Sequence, residues 1–123
     1  MTNALAIAFA QLSQRVGDLA GNADAMLAVR ARAGDADLVV FPEMQLIGYP
    51  AEDLIEKPAL AARAAAELRR MAAATADGGP AMLLGTLYAE GGGLYNTLAL
   101  LDGGTVAALR FKHELPNYGT FDE

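Results

Sequence analysis

The sequence predicts an α/β layered fold, with helices packed on one face of a mixed sheet. Three observations carry that expectation. Two short apolar runs near the N-terminus are each followed, beyond a break, by a segment of helical spacing. Three further runs of strand length then follow one another with only glycine-rich breaks between them. The composition supports a buried core: 54% of the 123 residues are hydrophobic and 20% charged, with a mean hydropathy of +0.24.

Taken in order, residues Leu5 to Leu12 read as a strand. Leu5, Ile7 and Phe9 alternate with Ala4, Ala6, Ala8 and Ala10, so one face is bulky, the other small and neither polar. Such a strand is expected to have both faces covered. Gly17-Asp18 and Gly21-Asn22 break the run, and Asn22 is expected to cap a helix, with Asp24 in its first turn. Ala23, Met26, Leu27 and Ala31 fall on one stripe of that helix. Arg30 and Arg32 suit its negative end, and Gly34 suits the position just beyond it.

Leu38-Val39-Val40-Phe41 is a short, fully apolar strand stopped by Pro42. Met44 to Lys57 contains Gly48, Pro50 and the acidic residues Glu52, Asp53 and Glu56, and reads as an irregular loop with one helical turn. Pro58 fits the first position of a second helix. Leu60, Ala64, Leu68, Met71 and Thr75 form its apolar face, with Arg63, Glu67 and Arg70 opposite. Gly78-Gly79-Pro80 ends it. Strands are then expected over Ala81 to Tyr88, Leu94 to Leu101 and Thr105 to Phe111. Asp102-Gly103-Gly104 reads as a tight hairpin turn. The order is β-α-β-α-β-β-β.

Charge and composition exclude several function classes. Fifteen acidic side chains against nine basic ones give a net charge of −6, which argues against a general nucleic-acid binder. Cysteine is absent, which removes disulfides, Cys-type zinc sites and any thiol nucleophile within the chain. The N-terminus has no basic targeting region, and its apolar run is too short to cross a bilayer. The expectation is a cytoplasmic protein with no membrane partner.

Two residues stand where α/β folds place their chemistry. Glu43 directly follows Leu38-Val39-Val40-Phe41-Pro42, at the carboxyl end of a buried strand. Burial there would suit it to general-base work. Lys112 directly follows the last strand and mirrors that position; a buried ammonium needs a carboxylate partner. Taken singly, each is more ordinarily a solvated strand-end side chain. Tyr49, Tyr118 and Phe121 lie in Gly/Pro-containing loops after these residues, as pocket walls or as core plugs.

Other candidates carry less. Gly91-Gly92-Gly93 lies between strands and opens no helix, so it lacks the phosphate-cradling geometry. His113, the only histidine, is no metal site by itself. Ser13, the only serine, sits in Gln11-Leu12-Ser13-Gln14-Arg15 rather than a nucleophile elbow. Glu52, Asp53 and Glu56 lack calcium-loop spacing and read as a solvated face.

Five stretches together resemble the nitrilase, or carbon–nitrogen hydrolase, superfamily. They are Ile7-Ala8-Phe9-Ala10-Gln11-Leu12 with Val16-Gly17-Asp18 and Gly21-Asn22; Leu38 to Glu43; Gly48-Tyr49-Pro50-Ala51-Glu52-Asp53-Leu54; Tyr95-Asn96-Thr97; and Lys112 with Leu115 to Glu123. More narrowly, they look like the glutaminase part of glutamine-dependent NAD+ synthetases; the third points to that branch more than to the superfamily at large, and the fifth is the most specific.

The resemblance implies an α-β-β-α sandwich, of which residues 1–123 would supply roughly the first half. It implies amide hydrolysis by a Glu-Lys-Cys triad. Glu43 falls at the glutamate that takes and returns a proton, and Lys112 at the lysine that stabilises the oxyanion. Tyr49, Tyr118 and Phe121 match positions lining the glutamine pocket, and Glu123 lies near a second, supporting glutamate. Gln45-Leu46-Ile47 departs from relatives that carry a small residue or threonine near Ile47, which would alter the pocket wall.

The implied cysteine would lie on a strand beyond Glu123, and nothing in the chain replaces it, because a hydroxyl lacks a thiol's anionic fraction at neutral pH. The expectation is therefore a truncated carbon–nitrogen hydrolase domain, inactive alone. In the intact enzyme L-glutamine would be hydrolysed, and the ammonia would amidate deamido-NAD+ at a C-terminal synthetase domain. ATP and Mg2+ would serve that second domain, with no cofactor held by these residues. Homo-oligomers are implied likewise. The alternatives are a truncated stand-alone amidase and a non-catalytic remnant.

Overall fold

The computed structural model describes residues 4–48 and 58–112. The strands are β1 (Ile7–Phe9), β2 (Leu38–Val40), β3 (Ala81–Glu90), β4 (Gly93–Asp102) and β5 (Thr105–Phe111); the helices are α1 (Leu19–Arg32) and α2 (Pro58–Ala74). A short 3-10 turn at Thr75–Asp77 follows α2. The element order is the one expected from the sequence. The sheet runs β1-β2-β3-β4-β5, with β1, β2 and β3 parallel and β3, β4 and β5 antiparallel.

Strand register divides the sheet into two faces. One row runs Ala8, Val39, Met82, Leu101 and Val106, and faces the helices. The next runs Phe9, Val40, Leu83, Leu100 and Ala108, and faces away. The first row joins the core with Met26 of α1 and Leu68 and Met71 of α2. Burying each of these larger side chains contributes roughly 1.5–3 kcal/mol. Every position expected on the apolar face is buried: Leu60, Ala64, Leu68 and Met71 in α2, and Thr75 in the 3-10 turn that follows it.

The second face corrects the expectation for β1. Its bulky side is not covered: Phe9 is 77% exposed and Ile7 is exposed beside it, as is Leu98 of β4 on the same face of the sheet. Periodicity shows that a face is apolar, not that another element covers it. The regular strand also spans only Ile7–Phe9, because its sole neighbour, β2, is equally short.

The helix boundaries need one more correction. The N-cap of α1 is Asp18, whose carboxylate accepts the Gly21 amide. Asn22 lies inside the helix and is buried. Its side chain accepts the Arg15 amide and donates to the carbonyls of Arg15 and Leu46. Asp24 therefore falls beyond the first turn, where it pairs with Arg70 of α2 at 2.8 Å. Ala31, placed on the apolar stripe, is exposed.

Arg30 is not a solvated cation at a helix end. It is buried, donates to the Pro80 carbonyl at 2.8 Å and grips both Asp77 oxygens, at 3.0 and 2.6 Å. A fork of this kind suits a planar guanidinium. Hydrogen bonds from Arg30, and then from the Gly79 amide, hold the Asp77 carboxyl well below the usual carboxylate range. The pair ties α1 to the segment entering β3.

Both hairpins close on glycine pairs with positive φ, Gly91-Gly92 and Gly103-Gly104. The loop expected over Gly91-Gly92-Gly93 is thus a tight turn, with Gly93 already in β4.

Candidate active site

Strand direction brings the two charged candidates to one rim. β5 runs in the same sense as β2, because β3 is parallel to β2 and the two following turns reverse the chain twice. The residues after β2 and after β5 therefore emerge on the same side. Two strands still separate them in the sheet, so they are not neighbouring strand ends. The gap is closed because the chain after Pro42 turns across β3.

Gly85 makes that crossing possible. A Cβ there would collide with the Met44 nitrogen and lie 2.9 Å from the Glu43 Cα. A glycine inside a strand often marks such a close backbone approach. The turn itself is tightly held. Met44 takes the left-handed region (φ 57°), which non-glycine residues seldom occupy. Leu46 N donates to Gly85 O, Gly48 N to Met44 O, and Gly17 N to Ile47 O. The buried Asn22 amide adds its bond to Leu46 O. Met44, Gln45, Leu46 and Ile47 are all buried, so the start of the expected irregular loop is a packed turn.

Glu43 projects from this turn into an open cleft of about 400 Å³. Asn96 of β4 donates its side-chain amide to Glu43 Oε1 at 2.5 Å. Lys112 Nζ approaches the same oxygen at 3.4 Å. The Lys112 backbone amide donates to the Asn96 carbonyl at 2.9 Å. Gly85, Thr97, Leu98, Arg110 and Phe111 complete the walls. The side chains of Glu43 and Lys112 are 52% and 42% exposed, so the burial expected of this pair is not found.

The opposite face of the rim is aromatic. Phe111 stacks on Tyr95 with ring centroids 4.8 Å apart, and on Tyr88 at 6.1 Å. This stack holds the end of β5, so that Lys112, the next residue, points to the cleft side.

The structure thus brings Glu43 and Lys112 together. Tyr49, Tyr118, Phe121 and Glu123, together with His113, lie outside the described residues. Asn96 enters the sequence reading only within the Tyr95-Asn96-Thr97 stretch, with no role of its own, and Gly85 does not enter it as a site residue. Each leaves a signal all the same: an amide in the middle of a largely apolar strand, and a lone glycine inside another. Ser13 is exposed and belongs to no such cluster. Among the described residues, no group of three or more acidic or histidine side chains is arranged to hold a metal, and no helix is long and apolar enough to cross a membrane.

Comparison with known proteins gives a consistent picture. The family model described as carbon-nitrogen hydrolase matches residues 6–123. A glutamine-dependent NAD(+) synthetase of Rhodobacter capsulatus is 46% identical over 125 residues, spanning 100% of this chain and 22% of the relative. One from Xylella fastidiosa is 40% identical over 126 residues, spanning 23% of its length. The chain thus covers about a fifth of these curated relatives. Among solved structures, the glutamine-dependent NAD+ synthetase of Acinetobacter baumannii superposes with a TM-score of 0.82 at 36% identity, over 96% of this chain and 22% of that one. An amidase of the nitrilase superfamily from Nesterenkonia AN1 gives 0.77 at 28% identity, over 96% and 45%.

Proposed function

Because the chain belongs to the carbon–nitrogen hydrolase family, we propose that it contributes the acid–base and oxyanion-binding half of an amide-hydrolysing site. The substrate in this reading is L-glutamine, and the ammonia serves a glutamine-dependent NAD+ synthetase. The observation that carries it is the meeting of Glu43 and Lys112, from positions 69 residues apart, on one cleft. The high identity to synthetases along the whole chain favours that branch.

The chain's own residues define the steps. Glu43 accepts the proton of a cysteine thiol, and the thiolate attacks the amide carbon. With no cysteine among the 123 residues, that thiol comes from elsewhere in the enzyme. The Lys112 ammonium faces the oxygen that gains charge. Glu43 returns the proton to the nitrogen as the C–N bond breaks, and ammonia leaves. Water then gives a proton to Glu43, attacks the thioester and releases glutamate and the thiol. Among the described cleft walls, Lys112 and Arg110 outnumber the single carboxylate of Glu43, which suits a substrate carrying a carboxylate. ATP and Mg2+ belong, in this reading, to a synthetase part outside the chain. No step here runs through them.

Glutaminase activity of the full-length protein, with Glu43→Gln and Lys112→Met beside it, tests the proposal. Wild-type turnover lost in both variants supports it; full activity in either overturns it. The 123-residue chain alone should show no turnover. The Nesterenkonia superposition supports a second reading, a single-domain amidase. Ammonia-dependent NAD+ formation by the full-length protein separates the two.

A further inference from the structure

We infer that Asn96 is a positioning residue that divides the Glu43 carboxylate into a held oxygen, Oε1, and a working oxygen, Oε2. The inference rests on the amide-hydrolase reading above and adds a role which that reading does not contain.

Three observations converge. The Asn96 amide and the Lys112 ammonium both address Oε1. Among the described residues, none donates to Oε2. Asn96 is itself only 6% exposed, on a strand whose register is fixed on both sides, so its amide is rigidly aimed. Burying an amide is unfavourable unless it is hydrogen-bonded, and the bond to Glu43 satisfies it. Asn96 also accepts the Lys112 backbone amide, so one residue sets the position of both partners.

The need for such a device follows from Glu43 itself. Its side chain is half exposed, and the terminal torsion of a glutamate is broad. Without a clamp, the carboxylate would rotate and exchange its oxygens. A neutral amide holds one oxygen without adding charge to the cleft. Oε2 then takes the proton when the S–H bond breaks. The same O–H bond breaks when the leaving nitrogen gains its N–H. Asn96 neither gives nor accepts a proton.

The test is steady-state glutamine hydrolysis by the full-length enzyme, with kcat and KM measured separately across pH. Asn96→Ala is expected to lower kcat by about 100-fold, the scale of a misplaced catalytic group, with KM essentially unchanged. Asn96→Asp keeps the shape but sets a second carboxylate against Oε1. The charged groups around position 96 are then Glu43 after β2 and Lys112 after β5, with Arg110 of β5 on the same cleft wall. Two facing carboxylates share one proton as pH falls. The introduced carboxyl, once protonated, donates to Oε1 again, so this variant should gain activity on acidification relative to wild type. If Asn96→Ala does not fold, that acid rescue decides. Wild-type kcat in Asn96→Ala, or a wild-type pH profile in Asn96→Asp, overturns the inference while leaving the amidase reading intact. Absence of amide hydrolysis by wild type overturns both.

Discussion

At the amino end of β3, Arg30 holds Asp77 through two hydrogen bonds while buried against the Pro80 carbonyl. At the carboxyl rim, Lys112 meets Glu43 through one contact of 3.4 Å, and both side chains remain about half exposed. Arg30 has the geometry of a structural pair: short, forked and withdrawn from water on the cation side. Lys112 and Glu43 are left loose and accessible, and a third residue supplies the order. An exposed pair of this length contributes little to stability. Its arrangement suits groups that must meet a substrate. In the proposed reading, stability is concentrated at one end of the sheet and chemistry at the other.

That division can be broken by substitution. Glu43→Gln and Lys112→Met should each lower glutamine turnover by about 100- to 10,000-fold, the range for losing an acid–base or oxyanion partner. Their denaturation midpoints should stay at the wild-type value; a large drop would show that this pair is structural as well. Gly85→Ala should affect both properties. The new Cβ drives the Glu43 turn off β3, lowering stability by about 1–3 kcal/mol and turnover together. Kinetics and urea denaturation on one preparation check this.

Arg30→Met should do the reverse of the rim substitutions. It leaves the Pro80 carbonyl without its donor and costs about 1.5–3 kcal/mol, with kcat and KM unchanged. The smallest effect concerns pH. Asp77 titrates lower in the folded chain than the ordinary value near 4. Its contribution is therefore complete above about pH 4 and is lost as pH falls through the depressed folded value. Asp77→Asn should remove that contribution at neutral pH and so flatten the acid limb of a stability–pH curve below about pH 4, with the variant and wild type converging as pH falls. An unchanged acid limb would count against the pair's role.

Local pattern made much of this legible. The order of strands and helices follows from period and punctuation, and α2 buries the face its spacing marks. Glu43 and Lys112 were readable because both directly follow apolar strands. What escaped depends on distant partners. Arg30 looks like a helix-end cation until Asp77, 47 residues on, reaches it. Asn22 looks like a cap until the Leu46 carbonyl arrives from a turn 24 residues away. The uncovered side of β1 is not encoded in β1 at all. Glu43 was expected to be buried, whereas the described residues leave it half in water.

The two glycine turns bear on the time course of folding. Gly91-Gly92 and Gly103-Gly104 preset both reversals of the β3-β4-β5 meander, whose pairings are all local. Hairpins of this kind close in roughly 1–10 μs. The parallel pairings of β1, β2 and β3 need long crossovers and are slower. Asn96 and Lys112 therefore belong to an early unit, while Glu43 arrives with the crossover. The cleft should be assembled in two stages, its cation before its carboxylate. Pulse-labelled hydrogen exchange should protect the amides of β4 before those of β2, and the opposite sequence would refute this ordering.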